Sequence, residues 1–402
     1  MLVTSQDVQA ARARVRDHVY LSPCARSETL SRATGCDAYL KLENLQMTGA
    51  YKERGALNKL LTLSTAERAR GLIAASAGNH AQALAYHSGR LGIPVTIVMP
   101  EATPLMKVAN TRGHGARVVL HGASYDEAYS EARRLEQAEG LTFVHPFDDA
   151  AVIAGQGTVG VEILEQVPDV GAVIVPVGGG GLLSGVGVAL KGANPAIRVI
   201  GVQAEVFPSM LASIEEGRPV TVEAASTIAD GIAVKRAGEL TFAHAREVAD
   251  EIVTVSEEEI ASAILYLLEK EKTVVEGAGA VTVAALLERK VRGLEGKRAV
   301  AVVSGGNIDV NVVARIIERG LVKDGRLVRI NVALQDKPGQ LARVSSVVAN
   351  LRANVIEVNH SRAFSDRFGD TVLQLVLETR GKDHVEEILR ALRERGYHVH
   401  RA

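Results

Sequence analysis

The sequence predicts an α/β protein of two lobes followed by a smaller α+β unit. Three observations predict it. From about Tyr39 to about Glu318, strand-like and helix-like segments alternate, which is the pattern of βα units and a mostly parallel sheet. The alternation comes in two series, which suggests two lobes with a cleft between them. After Arg326 the order changes to β-α-β-β-α-β, the ferredoxin-like arrangement.

The elements follow in order. Val8, Ala11, Val15 and Val19 recur at helical spacing among Asp7, Arg12, Arg14, Arg16 and Asp17, so the chain opens with an amphipathic surface helix. Strands are expected at Tyr39–Leu42, Leu72–Ala75, Val95–Met99, Arg117–Leu120 and Thr142–Val144. Helical patterns fill the gaps at Lys52–Leu61, Asn79–Leu91, Leu105–Thr111 and Ser124–Ala138. In the second series, Ala172–Val177 is an unbroken apolar run, as a buried parallel strand should be. Val199–Gln203, Ile252–Val255 and Ala299–Val303 resemble it. Ser256 with Glu259 three residues on is a capping box that starts a helix.

In the last stretch Val328, Ile330, Val332 and Leu334 alternate with polar or small residues, a half-buried strand. Asp336–Gly339 is a turn. Leu341, Val344, Val348 and Leu351 mark one helix face, and Val385, Ile388, Leu389 and Leu392 another. Strands are expected at Val355–Val358, Val372–Leu377 and Tyr397–His400. The boundaries are 1–322 for the two-lobed region, with a small lobe of roughly 50–150 inserted in the large one, and 327–402 for the terminal unit. Lys323–Arg326 reads as the linker.

Composition narrows the function. A net charge of −1 argues against a broad electrostatic footprint for nucleic acid. With 47% hydrophobic and 23% charged residues the chain is globular, and with no Trp its core must be aliphatic. Two cysteines, Cys24 and Cys36, build neither a disulfide framework nor a thiolate metal cage. No apolar run approaches the ~18 residues of a membrane span. The N-terminus lacks the apolar core of a signal peptide, so a cytoplasmic location is expected.

The strongest local motif is Val177-Gly178-Gly179-Gly180-Gly181-Leu182-Leu183-Ser184-Gly185. It follows a buried strand and opens a helix, so its N–H groups can cradle a phosphate; a flexible turn is the bland reading. It is neither a Walker loop nor a good dinucleotide fingerprint. Ala75-Ser76-Ala77-Gly78-Asn79-His80 is a second strand–helix turn, able to hold a carboxylate or simply to cap a helix. Ser304-Gly305-Gly306-Asn307 is a third. Lys52, between Tyr51 and Glu53-Arg54, reads in isolation as part of a solvated helix face. Yet all four fall at strand–helix junctions, where open α/β sheets bind ligands.

Together these segments resemble the fold-type II pyridoxal-phosphate enzymes (tryptophan synthase β-like), and among them threonine dehydratases, also called threonine ammonia-lyases. The matching pieces are Thr48–Gly55, Ser76–Gln82, His145–Asp149, Ala154–Thr158, the tetraglycine loop and Ser304–Asn307. They run in order and cover about Arg26 to Ile317. Ala50 stands where Ser is more common. The resemblance implies that Lys52 is the catalytic residue and forms the Schiff base with pyridoxal 5'-phosphate. It implies that Gly178, Gly179, Gly180, Gly181 and Leu182 bind the phosphate, that Asn79 contacts the ring hydroxyl and that Ser304 contacts the pyridine nitrogen. Ser76, Ala77, Gly78 and His80 would lie near the substrate carboxylate.

The implied reaction is deamination of L-threonine to 2-oxobutanoate and ammonia, with L-serine to pyruvate beside it, in isoleucine biosynthesis or threonine catabolism. Freed Lys52 removes the Cα proton, which the cofactor acidifies as an electron sink. The neutral hydroxyl of Ser304 leaves that sink weak, which favours rapid loss of the β-substituent. Ala77 cannot transfer a proton, so elimination is expected over racemisation. Related racemases carry a divalent-metal site, but Leu211 replaces its second acid beside Glu205, so no metal is expected. The terminal unit, with Asp336-Lys337-Pro338-Gly339-Gln340-Leu341, resembles an ACT domain. That implies an amino-acid effector, isoleucine or valine, approaching Gly339; assembly of the oligomer is the alternative role. A homo-oligomer, dimer or tetramer, is expected. The rivals are a serine dehydratase or racemase, a hydroxyaspartate ammonia-lyase, or a non-catalytic amino-acid-binding regulator.

Overall fold

The computed structural model describes residues 2–223, 225–361 and 370–402. The chain divides into two compact units, Met1–Asp309 and Val310–Ala402. The first opens with the helix Ser5–Val15, capped by Thr4 and Asp7 in a reciprocal box, which buries Val8, Ala11 and Val15. Strands β1 (Cys24–Arg26) and β2 (Asp37–Leu42) follow. The chain then builds a separate layer from β3 (Leu72–Ala75), β4 (Val95–Met99), β5 (Arg117–Leu120) and β6 (Thr142–Phe143). It returns through β7 (Ala172–Pro176), β8 (Arg198–Ala204), β9 (Glu251–Val255) and β10 (Arg298–Val303).

Two sheets result. The larger has the order β1-β2-β10-β7-β8-β9, and the smaller β5-β4-β3-β6. All pairings are parallel except β1 with β2. Because β2 and β7 both pair with β10, the smaller sheet is an insertion between neighbours of the larger. Parallel strands buried on both faces need continuous apolar runs, and β4, β7 and most of β10 are wholly buried. The core of the larger sheet includes Val173, Val175, Leu183, Val186, Val300 and Val302.

Two helices fix the lysine segment. Lys52–Thr62 crosses Ala150–Gln166 at Gly55 and Gly155, where a Cβ on Gly155 would stand 2.6 Å from the Gly55 Cα. Only glycines permit that backbone-to-backbone approach. The residues after Lys52 are not the solvated face that their charges suggest. Glu53 and Arg54 are 0% exposed. Arg54 reaches Glu43 at 2.7 Å and Glu162 at 2.7 Å, and Lys41 reaches Glu162 at 2.7 Å. Burial of Lys41, Glu43, Arg54 and Glu162 is tolerated because these charges pair with one another.

In the second unit β11 (Leu327–Gln335), β12 (Asn354–Ser361), β13 (Asp370–Glu378) and β14 (His398–Arg401) form an antiparallel sheet ordered β12-β13-β11-β14. The helices Gln340–Asn350 and Lys382–Glu394 complete the ferredoxin-like order. Val328, Ile330, Val332 and Leu334 face its core with Val344, Val348, Ile388 and Leu392. One boundary differs from the sequence reading. The second unit also takes in the helix Val310–Lys323. That helix runs into β11 through a bonded turn, not a linker. Arg326 N–H donates to Leu321 O at 2.8 Å, and Thr379 N–H donates to Arg326 O at 2.9 Å. Alternation to about Glu318 does not say which unit such a helix joins. Among the described residues no helix is long and apolar enough to cross a membrane.

Candidate active site

The lysine segment leaves β2, turns at Gly49 with φ +75°, and is stitched to the end of β10. Gly306 N–H donates to Gly49 O at 2.9 Å and Tyr51 N–H to Ser304 O at 3.0 Å. Ala50 and Gly305 form an antiparallel bridge. Residues more than 250 positions apart are therefore neighbours: Lys52 opens its helix beside Ser304, which is buried. Ala50 is itself fully buried, so its methyl fills the place where a serine is more common.

The segment His145–Asp149 connects the lysine to the glycine loop. Lys52 Nζ donates to Pro146 O at 2.8 Å. The next residue, Phe147, occupies the space a Cβ would need on Gly179, and its backbone lies 3.1 Å from such an atom on Gly181. Asp148 accepts from Leu240 N–H and Thr241 N–H at 3.0 Å each. Thr241 Oγ1 then donates to Gly179 O at 2.6 Å. Asp149 caps the Ala150–Gln166 helix and pairs with Lys59 at 2.6 Å.

Gly180, at φ +94°, precedes the helix Gly181–Ala193 and offers no side-chain cap. A Cβ there would stand 2.5 Å from Met210 Cε. The first N–H groups of a helix have no internal partner; here, uncapped, they suit a phosphate.

The asparagine turn ends β3. Ser76 Oγ accepts from Gly78 N–H at 3.3 Å, and the helix Asn79–Leu91 likewise begins without a side-chain cap. Ser76, Ala77, Gly78 and Asn79 are half-buried. His80 is not placed as its neighbours are. Its imidazole is buried, with Nε2 3.1 Å from Val144 O, and burial and the Lys52 charge push its pKa down to about 3. What His80 offers the turn is its backbone N–H. Gly339 belongs to the other unit, where it caps the Gln340–Asn350 helix at φ +85°.

One further residue, Glu276, escaped the sequence motifs. Asn79 Nδ2 donates to Glu276 Oε1 at 2.8 Å, and Asn79 Oδ1 accepts from Asn307 Nδ2 at 2.8 Å. Glu276 stands in Val275-Glu276-Gly277-Ala278-Gly279. A lone carboxylate after two valines and before Gly277 and Gly279 in an apolar run was the available signal.

These residues fit pyridoxal phosphate. The glycine loop and its helix would hold the phosphate, and Lys52 would hold the aldehyde carbon. Burial brings the Lys52 amine down to about 8, against the opposing pull of Glu276. Attack on an aldehyde needs the neutral amine. Below about pH 8 the rate at which cofactor-stripped protein regains its cofactor absorbance should therefore rise about tenfold per pH unit. Above that it should level off. A rate still climbing through pH 10 would mean an ordinary, solvated lysine.

The family described as "Pyridoxal-phosphate dependent enzyme" matches residues 15–305. L-threonine ammonia-lyase of Thermotoga maritima is 52% identical over 99% of both chains. Among solved structures, the processed form of threonine deaminase isoform 2 from Solanum lycopersicum is 39% identical, with a TM-score of 0.74. It covers 78% of this chain and 91% of its own. Maize serine racemase is 32% identical at a TM-score of 0.75, covering 80% and 99%. With Lys52, Ser304, the asparagine turn and the uncapped glycine helix arranged as above, the chain belongs to the pyridoxal-phosphate-dependent enzymes of fold type II and, among them, to the threonine ammonia-lyases.

Proposed function

We propose that the chain deaminates L-threonine to 2-oxobutanoate and ammonia by β-elimination of water, and L-serine to pyruvate. One observation carries this reading. A lysine of lowered basicity lies beside Ser304 and is tied through Pro146 and Phe147 to an uncapped glycine helix. When bound, pyridoxal phosphate supplies the electron sink that acidifies the substrate Cα proton. The Ser76–Gly78 turn and the start of the Asn79–Leu91 helix receive the substrate carboxylate. Lys52, its basicity lowered by burial, takes the Cα proton in its neutral form. Ser304 would face the ring nitrogen of the bound cofactor with a hydroxyl that need not protonate it. Ala77 has no proton to give, so the opposite face stays inert and elimination wins over racemisation.

The test is release of 2-oxo acid from threonine, serine and hydroxyaspartate, with D-serine assayed beside it. Threonine should give the highest kcat/KM. Preference for hydroxyaspartate, or net D-serine formation, would sink the reading.

We further propose that the second unit is an ACT-like regulator, with isoleucine or valine approaching Gly339 as feedback effector, in isoleucine biosynthesis or threonine catabolism. A cytoplasmic homo-oligomer, dimer or tetramer, is the form expected. All the site residues lie within Met1–Asp309. A chain ending at Asp309 should thus keep threonine turnover within about threefold and lose its response to isoleucine and valine. Regulation acts only through differential contacts in two states, and those contacts would be gone. A truncated enzyme that still responds to isoleucine would place the effector site in the first unit.

A further inference from the structure

Glu276 belongs to none of the motifs, yet it closes a ring of hydrogen bonds around Asn79. It is 4% exposed and stands just before the helix Gly277–Leu287. Its Oε1 accepts from Asn79 Nδ2 at 2.8 Å, and its backbone N–H donates to Gly305 O at 3.1 Å, two residues before Asn307. Asn307 Nδ2 donates to Asn79 Oδ1 at 2.8 Å and to Thr48 O at 2.7 Å. The ring thus joins the inserted small sheet, which carries Asn79, to the larger one and to the lysine segment. Glycines make room for it: a Cβ on Gly231 would stand 3.3 Å from Glu276 Oε1, and one on Gly305 closer still.

A side-chain amide can be held either way round. Here a donor faces Oδ1 and a carboxylate faces Nδ2, so the orientation is fixed. Glu276 uses one N–H of Nδ2 and leaves the second. We propose that Glu276 is the positioning residue for Asn79, holding its amide so that this second N–H meets the ring hydroxyl of the cofactor. The proposal rests on the reading of Asn79 as the residue that contacts that hydroxyl. The carboxylate is costly to keep. Burial, then the charge of Asp230, raises its pKa to about 7, against the pull of Asn79, Lys107 and Asn307. A buried carboxyl hydrogen-bonded to Asn79 Nδ2 points to a role beside that amide and not to packing.

The test uses full-length protein whose cofactor is exchanged by dialysis. Affinity is measured for pyridoxal phosphate and for its 3-deoxy analogue, which lacks the ring hydroxyl. Glu276→Ala should weaken pyridoxal phosphate about tenfold and the analogue less than about twofold. The double variant with Asn79→Ala should be no weaker than Asn79→Ala alone, because the two residues act as one. Equal losses with both ligands, additive losses, or no loss at all would overturn the proposal. Where the alanine chain is insoluble, Glu276→Gln keeps an acceptor oxygen; its smaller loss should again vanish with the analogue, and a loss equal for both ligands would overturn the idea. If Asn79→Ala binds both ligands as the parent does, the premise about Asn79 fails and the proposal falls with it. If Asn79→Ala weakens only pyridoxal phosphate while Glu276→Ala does not, the proposal fails alone.

Discussion

Replacing Lys52 with alanine is expected to reduce threonine turnover by about ten-thousand-fold or more, and to abolish the covalent hold on the cofactor. The fold should survive. Lys52 is the first residue of its helix, where alanine is a good helix former. The hydrogen bond lost is the one to Pro146 O, worth about 1 kcal/mol. The chemistry has no such spare. On the proposed reading Lys52 is both the attachment point and the base, and burial already brings its amine down to about 8. Circular dichroism should match the parent, the visible absorbance of bound cofactor should shift to that of a non-covalent complex, and 2-oxobutanoate release should vanish. Near-parental turnover would sink the assignment of Lys52.

Much of this site was legible because its parts are local. Strand–turn–helix junctions declare themselves through an apolar run, a glycine and a new periodicity. Leu72–Ala75, Val95–Met99, Arg117–Leu120 and the helix Asn79–Leu91 stand where those signals put them. The capping box of Ser256 and Glu259 forms as its spacing implies. What was not legible depends on partners far away in the chain. Pro146 O is a backbone atom and leaves no mark on the sequence. Glu276 and Asn79 are 197 positions apart. The charges of Glu53 and Arg54 looked like those of a solvated face, because a charge does not announce its partner. The helix Val310–Lys323 carries a clear apolar stripe but no sign of which sheet it serves. For the cofactor site, the family resemblance added which chemistry the glycine loop and the lysine share; residue types alone left each open.

The buried charges behind Lys52 should be the weakest point of the first unit to mutation. Arg54→Met is expected to lower its unfolding free energy by about 3–5 kcal/mol at neutral pH. Arg54 bonds Glu43 through two nitrogens, at 2.7 and 2.8 Å, and Glu162 through two, at 2.8 and 2.7 Å. A methionine fills similar space but leaves Glu43 with only Ser22 and Gln46 as side-chain donors, and Glu162 leaning on Lys41 and Arg12. The pH dependence follows with a definite sign. Burial alone would raise the Glu43 carboxyl; the charge and hydrogen bonds of Arg54 outweigh it and hold it below the usual range. The parent therefore gains stability from Glu43 above the unfolded carboxylate pKa, and loses it as pH falls. Without Arg54 burial wins, Glu43 takes up a proton on folding, and the variant loses stability as pH rises. The gap between parent and variant should accordingly widen from about pH 5 to about pH 7. Urea unfolding followed by circular dichroism at both values would measure it. A gap below about 1 kcal/mol, or one that does not change with pH, would mean that water or a shifted side chain replaces Arg54, and that the network does not anchor the lysine helix.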